Sequence, residues 1–206
     1  EKMEGLKFRI GPKSFFQTNS GGAKTLYDKV KEFARISPND NVLDLYCGTG
    51  TIGLYLSTLA KKVVGVERVP EAIRDARDNA RINKIHNCTF VHEESQKFLE
   101  TLGIRNLTFD IMIVDPPRAG LSRRIIDLIA KHRFRSLIYI SCQPAAFARD
   151  TRLMAERGIA LIKVQPIDLF PQTHHIECVG LFVVERRPPV DNFPFKALLL
   201  KKSTLI

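Results

Sequence analysis

Cys142 is the residue in this 206-residue chain best equipped for covalent chemistry. It follows the apolar run LIYIS and precedes QPAAFARD, so it stands just past a buried strand and at the start of a helix with Pro144 near its first turn. A helix N-terminus lowers a thiol pKa from about 8.5, which predicts a favoured thiolate at this position. A second group comes from FDIMIVDPPRAG, where an apolar strand delivers Asp115 and two prolines then halt pairing and hold the acid rigid. A third comes from IDLFPQTHHIECV: Pro171 and Thr173 break the chain and place Glu177 on a turn near the same rim, as a candidate general base toward Cys142. The adjacent His174 and His175 point different ways and lack a third ligand, so no metal is expected there. Cys88 and Cys178 read as inert core residues.

The ligand-holding element is VLDLYCGTGTIG, from Val42 to Gly53. Apolar residues flank Asp44, then Gly48 and Gly50 permit tight turns and close backbone approach, and a helical pattern follows. Such a strand, turn and helix offers backbone NH groups to a nucleotide-like ligand at the carboxyl edge of a parallel sheet. Glu67 ends the next apolar run, about 20 residues beyond the first glycine, where its two oxygens suit a ribose diol. GxGxxG is satisfied by Gly48, Gly50 and Gly53, so a dinucleotide site is allowed by spacing alone. Asp44 and the CGTG spelling lean instead toward S-adenosylmethionine, because both resemble motif I of the class I methyltransferases.

Apolar strands and amphipathic helices alternate from Asn41 onward, the pattern of a parallel sheet with helical crossovers. Strands are expected at 41–46, 62–67, 88–92, 110–115, 135–141, 160–168 and 178–186. Helices are expected near 52–60, 70–83, 95–102, 122–131 and 144–157. The last two strands adjoin in sequence, which predicts a doubly wound α/β sheet of seven mostly parallel strands with the last antiparallel. Ahead of this, Phe8–Ile10 is a short strand candidate, and Ser20 is expected to cap a helix over Gly22–Ala34. The loop between them holds Phe15, Phe16 and Gln17. Two readings stand for it: an aromatic plugs the core, or an aromatic and Gln17 reach over a ligand.

With 44% hydrophobic and 26% charged residues, the composition is that of one well-buried globular domain. The domain is expected over residues 1–187, followed by a tail over 188–206 that opens with prolines. A net charge of +10 favours a polyanionic partner such as nucleic acid. No apolar run reaches the ~18 residues needed to cross a bilayer, so no membrane partner is expected. Four cysteines without CxxC spacing favour a reduced, intracellular chain with no cysteine-based zinc site. The opening residues look like the middle of a protein rather than its beginning, and no signal peptide is apparent.

The segments SFFQTN, LDLYCGTGTIGL, VVGVE, DPPRAG, YISCQP and DLFPQTHHIE, in this order, resemble the RNA uridine C5-methyltransferases, the tRNA (uracil-5-)-methyltransferase family. The resemblance runs from about Phe8 to Glu185 and implies a class I methyltransferase, Rossmann-like fold. It implies S-adenosyl-L-methionine as cofactor and RNA as partner, tRNA first and rRNA as the alternative. The family's nucleophile falls on Cys142 and its proton acceptor on Glu177. Its cofactor contacts fall on Gln17, Tyr46, Thr51, Glu67 and Asp115, with Glu94 a further candidate for the adenine. This chain departs from relatives with asparagine where Gln143 and Thr51 stand, and Arg118 stands where amine-methylating DPPY enzymes carry an aromatic. Family members also have an N-terminal RNA-binding region and a central β domain ahead of the part matched here. A mitochondrial setting is implied as well, with cytosol or nucleus as alternatives. Two rival functions remain on sequence: a nicotinamide-dependent oxidoreductase, and a non-catalytic RNA-binding relic of the fold.

Overall fold

A computed structural model describes residues 1–11, 19–173 and 175–184. Two short strands, β1 (Lys2–Met3) and β2 (Leu6–Lys7), form an opening hairpin, and α1 (Ser20–Ala34) follows. The alternating part then runs β3 (Asn41–Leu45), α2 (Thr51–Leu56) with a 3-10 turn over Ser57–Leu59, β4 (Lys62–Glu67), α3 (Pro70–Ile82) and β5 (Cys88–His92). It continues through α4 (Ser95–Thr101), β6 (Ile111–Val114), α5 (Arg123–Ile129), β7 (Ser136–Ser141) and α6 (Pro144–Ala155). The last two strands are β8 (Ile159–Ile167) and β9 (Glu177–Val184).

The main sheet has seven strands in the order β5-β4-β3-β6-β7-β9-β8. Strands β3 to β7 pair in parallel, while β9 is antiparallel to both β7 and β8. The expected architecture is therefore present, and the antiparallel strand is inserted beside β7 rather than added at the rim of the sheet. Every residue of β6 and β7 is buried, and all of them are apolar except the serines at the two ends of β7, as suits strands covered on both faces. Side chains alternate between the two faces. Ile138 and Ile140 pack into one core with α1, α2 and α3, and Leu137 and Tyr139 into the other with α4, α5 and α6. Helices thus cover both faces of the sheet.

From β3 the chain steps outward to β4 and β5, then returns to lay β6 against the other side of β3. At this reversal the crossovers leave in opposite directions and a crevice opens at the strands' carboxyl ends. The glycine loop after β3 and the DPPR corner after β6 both face it.

Local expectations needed correction at the amino end. Phe8–Ile10 forms no strand; the hairpin lies earlier, because Glu4 and Gly5 both take positive φ (47° and 81°), as a tight two-residue turn requires. The cap of α1 is Asn19 rather than Ser20. Its side chain accepts from the Gly22 amide at 2.9 Å and donates to the Leu169 carbonyl at 2.9 Å, so it fastens the helix start to the β8–β9 connection. Glu177 is the first residue of β9 rather than part of a turn. Gln17, Phe15, Phe16, His174 and the tail over 188–206 lie outside the described residues, as does the domain boundary expected at 187.

Candidate active site

The glycine loop is shaped by backbone that side chains would obstruct. Gly48 and Gly50 have φ of 52° and 77°, and a Cβ on Gly50 would stand 2.6 Å from the Phe90 ring. Gly50→Ala is accordingly expected to lower unfolding free energy by about 1–3 kcal/mol, seen as an earlier urea midpoint. An unshifted midpoint would contradict that account. Tyr46, just before the loop, also takes a positive φ of 62°, strain of the kind that collects where a backbone must meet a ligand. The Gly50 amide donates to the Cys47 carbonyl at 2.8 Å, closing the turn.

Two carboxylates brace this loop. Asp44 is fully buried and its Oδ2 accepts from the Gly53 amide at 3.1 Å, which holds the first turn of α2 against β3. Burial, with the Glu67 charge adding, pushes Asp44 up to about 7. Glu67 accepts from the Gly48 amide at 3.3 Å and the Val69 amide at 2.9 Å, one bond to each oxygen. A carboxylate has about four acceptor positions, so capacity is left for a diol. Asn79, on α3, was not singled out from sequence. Its side-chain amide donates to the Thr49 carbonyl (3.2 Å) and the Arg9 carbonyl (3.1 Å), tying the glycine loop to the amino-terminal segment. A polar residue inside an amphipathic helix gives little sign of such a role beforehand.

Across the crevice, β7 ends at Ser141, whose hydroxyl accepts from the Gln143 amide at 3.3 Å and turns the chain into α6. Cys142 sits on that turn, half-buried. In the β7–β9 register Ser141 faces Cys178, so the next step sets Cys142 beside Glu177. Glu177 is only 5% exposed, and burial pushes its carboxyl up to about 7. Asp115 is held well above the usual carboxylate range by burial, then by Glu177 and Asp44.

The expected lowering of the Cys142 thiol is not found. Burial raises the Cys142 thiol above its ordinary value, Glu177 and Asp115 raise it further, and Arg118 only partly opposes them. The helix start next to it does not outweigh burial and the two nearby acids, neither of which is close to Cys142 in sequence. Cys88 is pushed up to about 12 and Cys178 upward too, by burial first in each case, as suits unreactive core thiols.

One cleft of about 680 Å³ gathers Tyr46, Thr51, Glu67, Glu94, Asp115, Cys142 and Glu177. That volume suits a nucleoside-sized ligand with room beside it. Gln17 is the single expected site residue beyond the described chain. Tyr27 also lines the cleft and donates to the Thr51 hydroxyl at 3.1 Å. In sequence it is indistinguishable from its apolar neighbours on the buried face of α1. Among the described residues, no group of His, Cys, Asp and Glu side chains could hold a metal ion, and no helix is long and apolar enough to cross a membrane.

Comparison with known proteins places the chain in a family and a fold. The family model described as tRNA (Uracil-5-)-methyltransferase matches residues 3–186. An RNA methyltransferase of Caldanaerobacter subterraneus, itself described as uncharacterized, is 45% identical over 88% of this chain and 40% of its own length. One from Geobacter sulfurreducens, likewise described, is 40% identical over 89% of this chain and 37% of its own. The chain thus spans about two fifths of the curated relatives it matches. Among solved structures, the Pyrococcus abyssi tRNA (uracil-54, C5)-methyltransferase in complex with S-adenosyl-L-homocysteine superposes with a TM-score of 0.76 at 33% identity, covering 89% of this chain and 43% of that one. The N-methyltransferase NodS of Bradyrhizobium japonicum, at 14% identity and a TM-score of 0.65 over 82% of this chain and 99% of its own, shares the fold.

Proposed function

Because the chain belongs to the tRNA (uracil-5-)-methyltransferase family, we propose that it is the catalytic domain of an enzyme that methylates uridine C5 in RNA, tRNA foremost, through a covalent adduct on Cys142. The observation that carries this reading is that Cys142 and Glu177, each one step beyond the Ser141–Cys178 pair of β7 and β9, line the wall of the same cleft as the glycine loop. S-adenosylmethionine fits the residues present: Glu67 has acceptor capacity for the ribose, the open space over Gly48 admits a ligand against the backbone, and Tyr46, Thr51, Glu94 and Asp115 line the remainder. When bound it supplies an electrophilic methyl carbon.

Carbon 5 of uracil is too weak a nucleophile to react unaided. Cys142, its thiol proton given up to solvent, would bond through Sγ to C6; the electron pair of the C5–C6 double bond moves toward O4, and C5 would then be electron-rich enough to take the methyl group from bound S-adenosylmethionine, with S-adenosylhomocysteine as the leaving group. Glu177 then removes the C5 proton, the double bond re-forms, and the C6–S bond breaks to free the thiolate. A base buried near Cys142 and poised near neutrality suits that second half. A nicotinamide dehydrogenase would use the glycine loop but leave Cys142 and Glu177 idle, and a binding relic would need neither. Two measurements test the proposal: calorimetric titration with S-adenosylmethionine and with NADH, and nucleoside analysis of treated RNA for 5-methyluridine. Binding of NADH alone, or RNA that stays unmethylated by the full-length enzyme, would contradict it. The mitochondrial setting belongs to the same proposal, and fractionation of cells carrying the tagged full-length protein tests it.

The pH response follows from Glu177. Its folded pKa, about 7, lies above the ordinary 4.5. Its contribution to stability is therefore intact below about pH 4.5 and lost as pH rises through about 7. Activity moves the other way, because the base works only as carboxylate. Methylation rates are expected to climb through pH 7 and to keep rising as the Cys142 thiol ionises, while urea midpoints fall. A rate falling between pH 6 and 8 would refute the assigned roles.

A further inference from the structure

Next to the cleft, and continuous with it through Ala119, Gly120 and Ser122, lies a groove of about 470 Å³. Arg123 enters it from the start of α5, Arg149 and Arg152 from α6, and no acidic side chain is among its lining residues. Arg149 and Arg152 are three positions apart and share one helix face. The first is fixed in place: its Nε donates to Asp150 Oδ1 at 2.8 Å and its Nη2 to the Ala119 carbonyl at 2.7 Å, with 48% of the side chain still exposed. Asp150 is itself fully buried, accepting from the Leu121 amide at 2.7 Å and the Tyr139 hydroxyl at 2.8 Å, so its charge is withdrawn from the surface. Arg152 is 73% exposed and pairs with Glu156 at 3.9 Å. The groove is therefore a cationic channel whose floor is the same loop that carries Asp115 and Arg118 into the cleft.

We propose that this groove seats backbone phosphates of the RNA strand that flanks the base delivered to Cys142. The inference rests on the function proposed above and adds the side chains that would hold the strand. A base must leave its stack to reach a thiol inside a cleft, and the backbone on either side of it then has to cross the rim. S-adenosylmethionine carries no phosphate, so the cofactor gives these arginines no work. Guanidinium forks match phosphate oxygens two at a time, and one already locked by Asp150 and Ala119 gives up little freedom on binding.

The test compares the chain with an Arg123→Gln/Arg152→Gln double variant, using a uridine-containing single-stranded RNA and fluorescence anisotropy across a range of salt. Arg149 is kept because its bonds support the loop. Lys61→Gln/Lys62→Gln, removing equal charge at the amino-terminal end of β4, is the control. The arginine variant should bind about tenfold more weakly at low salt and lose about 1.4 from the slope of log affinity against log salt, two phosphates at ~0.7 each. The control should follow the unaltered chain, and S-adenosylmethionine affinity should hold in all three. Equal slopes for both variants, or no salt-dependent RNA binding by the unaltered chain, overturns the proposal. Failure of the functional reading looks different: the unaltered chain then takes up no S-adenosylmethionine, whatever its RNA slope.

Discussion

Replacing Cys142 by alanine is expected to reduce uridine methylation by about 10⁴-fold or more, with S-adenosylmethionine affinity and the urea midpoint little changed. The size follows from what is removed. Without sulfur there is no bond to C6 and no electron-rich C5, so the path through two moderate steps reverts to a single prohibitive one. Little else changes, because Cys142 is half-buried on a turn and its thiol is raised above its ordinary value, making the protonated, neutral group the one replaced. Single-turnover methyl transfer with labelled cofactor measures the effect. A loss below tenfold would remove Cys142 from the reaction.

Glu177→Gln has a different signature. Methyl transfer to the ring should still occur, while release of product slows by about 10²–10⁴-fold, the usual contribution of a positioned base. Methylated RNA attached to protein should then build up. Stability should move in the opposite direction: the substitution removes a buried carboxylate whose pKa is pushed up to about 7 from 4.5, so at pH 8 the variant should gain up to about 3 kcal/mol. Slow turnover together with a raised urea midpoint marks a residue kept for chemistry at the expense of folding. A variant that is both slower and less stable would assign Glu177 to the scaffold instead.

Both residues could be named from sequence because each borders an apolar run: Cys142 follows the end of β7, and Glu177 opens β9, whose amino end meets the same rim because that strand runs antiparallel. The sheet was legible for the same reason: a run such as LIYIS has no role other than a strand buried on both faces. What pairs Cys142 with Glu177 is less local. It depends on β9 entering beside β7, a choice of neighbour that no window of sequence expresses. That missing neighbour also misdirected the reading of the thiol, since the helix start at Pro144 is visible in sequence and the carboxylates opposite it are not. Buried polar residues were hidden likewise. Asn79 and Asp150 occupy ordinary helical positions, and only packing shows that one staples the glycine loop and the other anchors the loop after Asp115. At the amino end, strands of two residues are too short for any periodicity to register.

The central claim is a transient bond between Cys142 Sγ and uracil C6, and RNA carrying 5-fluorouridine tests it most directly. Fluorine at C5 leaves Glu177 no proton to remove, so the adduct cannot resolve and should accumulate once the cofactor is present. Mass spectrometry of the denatured mixture should find protein, RNA and one added methyl group joined in a single species, with fragmentation placing the link on Cys142 and Cys142→Ala yielding none. A link mapped to Cys47 or to any other residue, or 5-methyluridine formed from normal RNA while the fluorinated RNA leaves no adduct, would contradict the account.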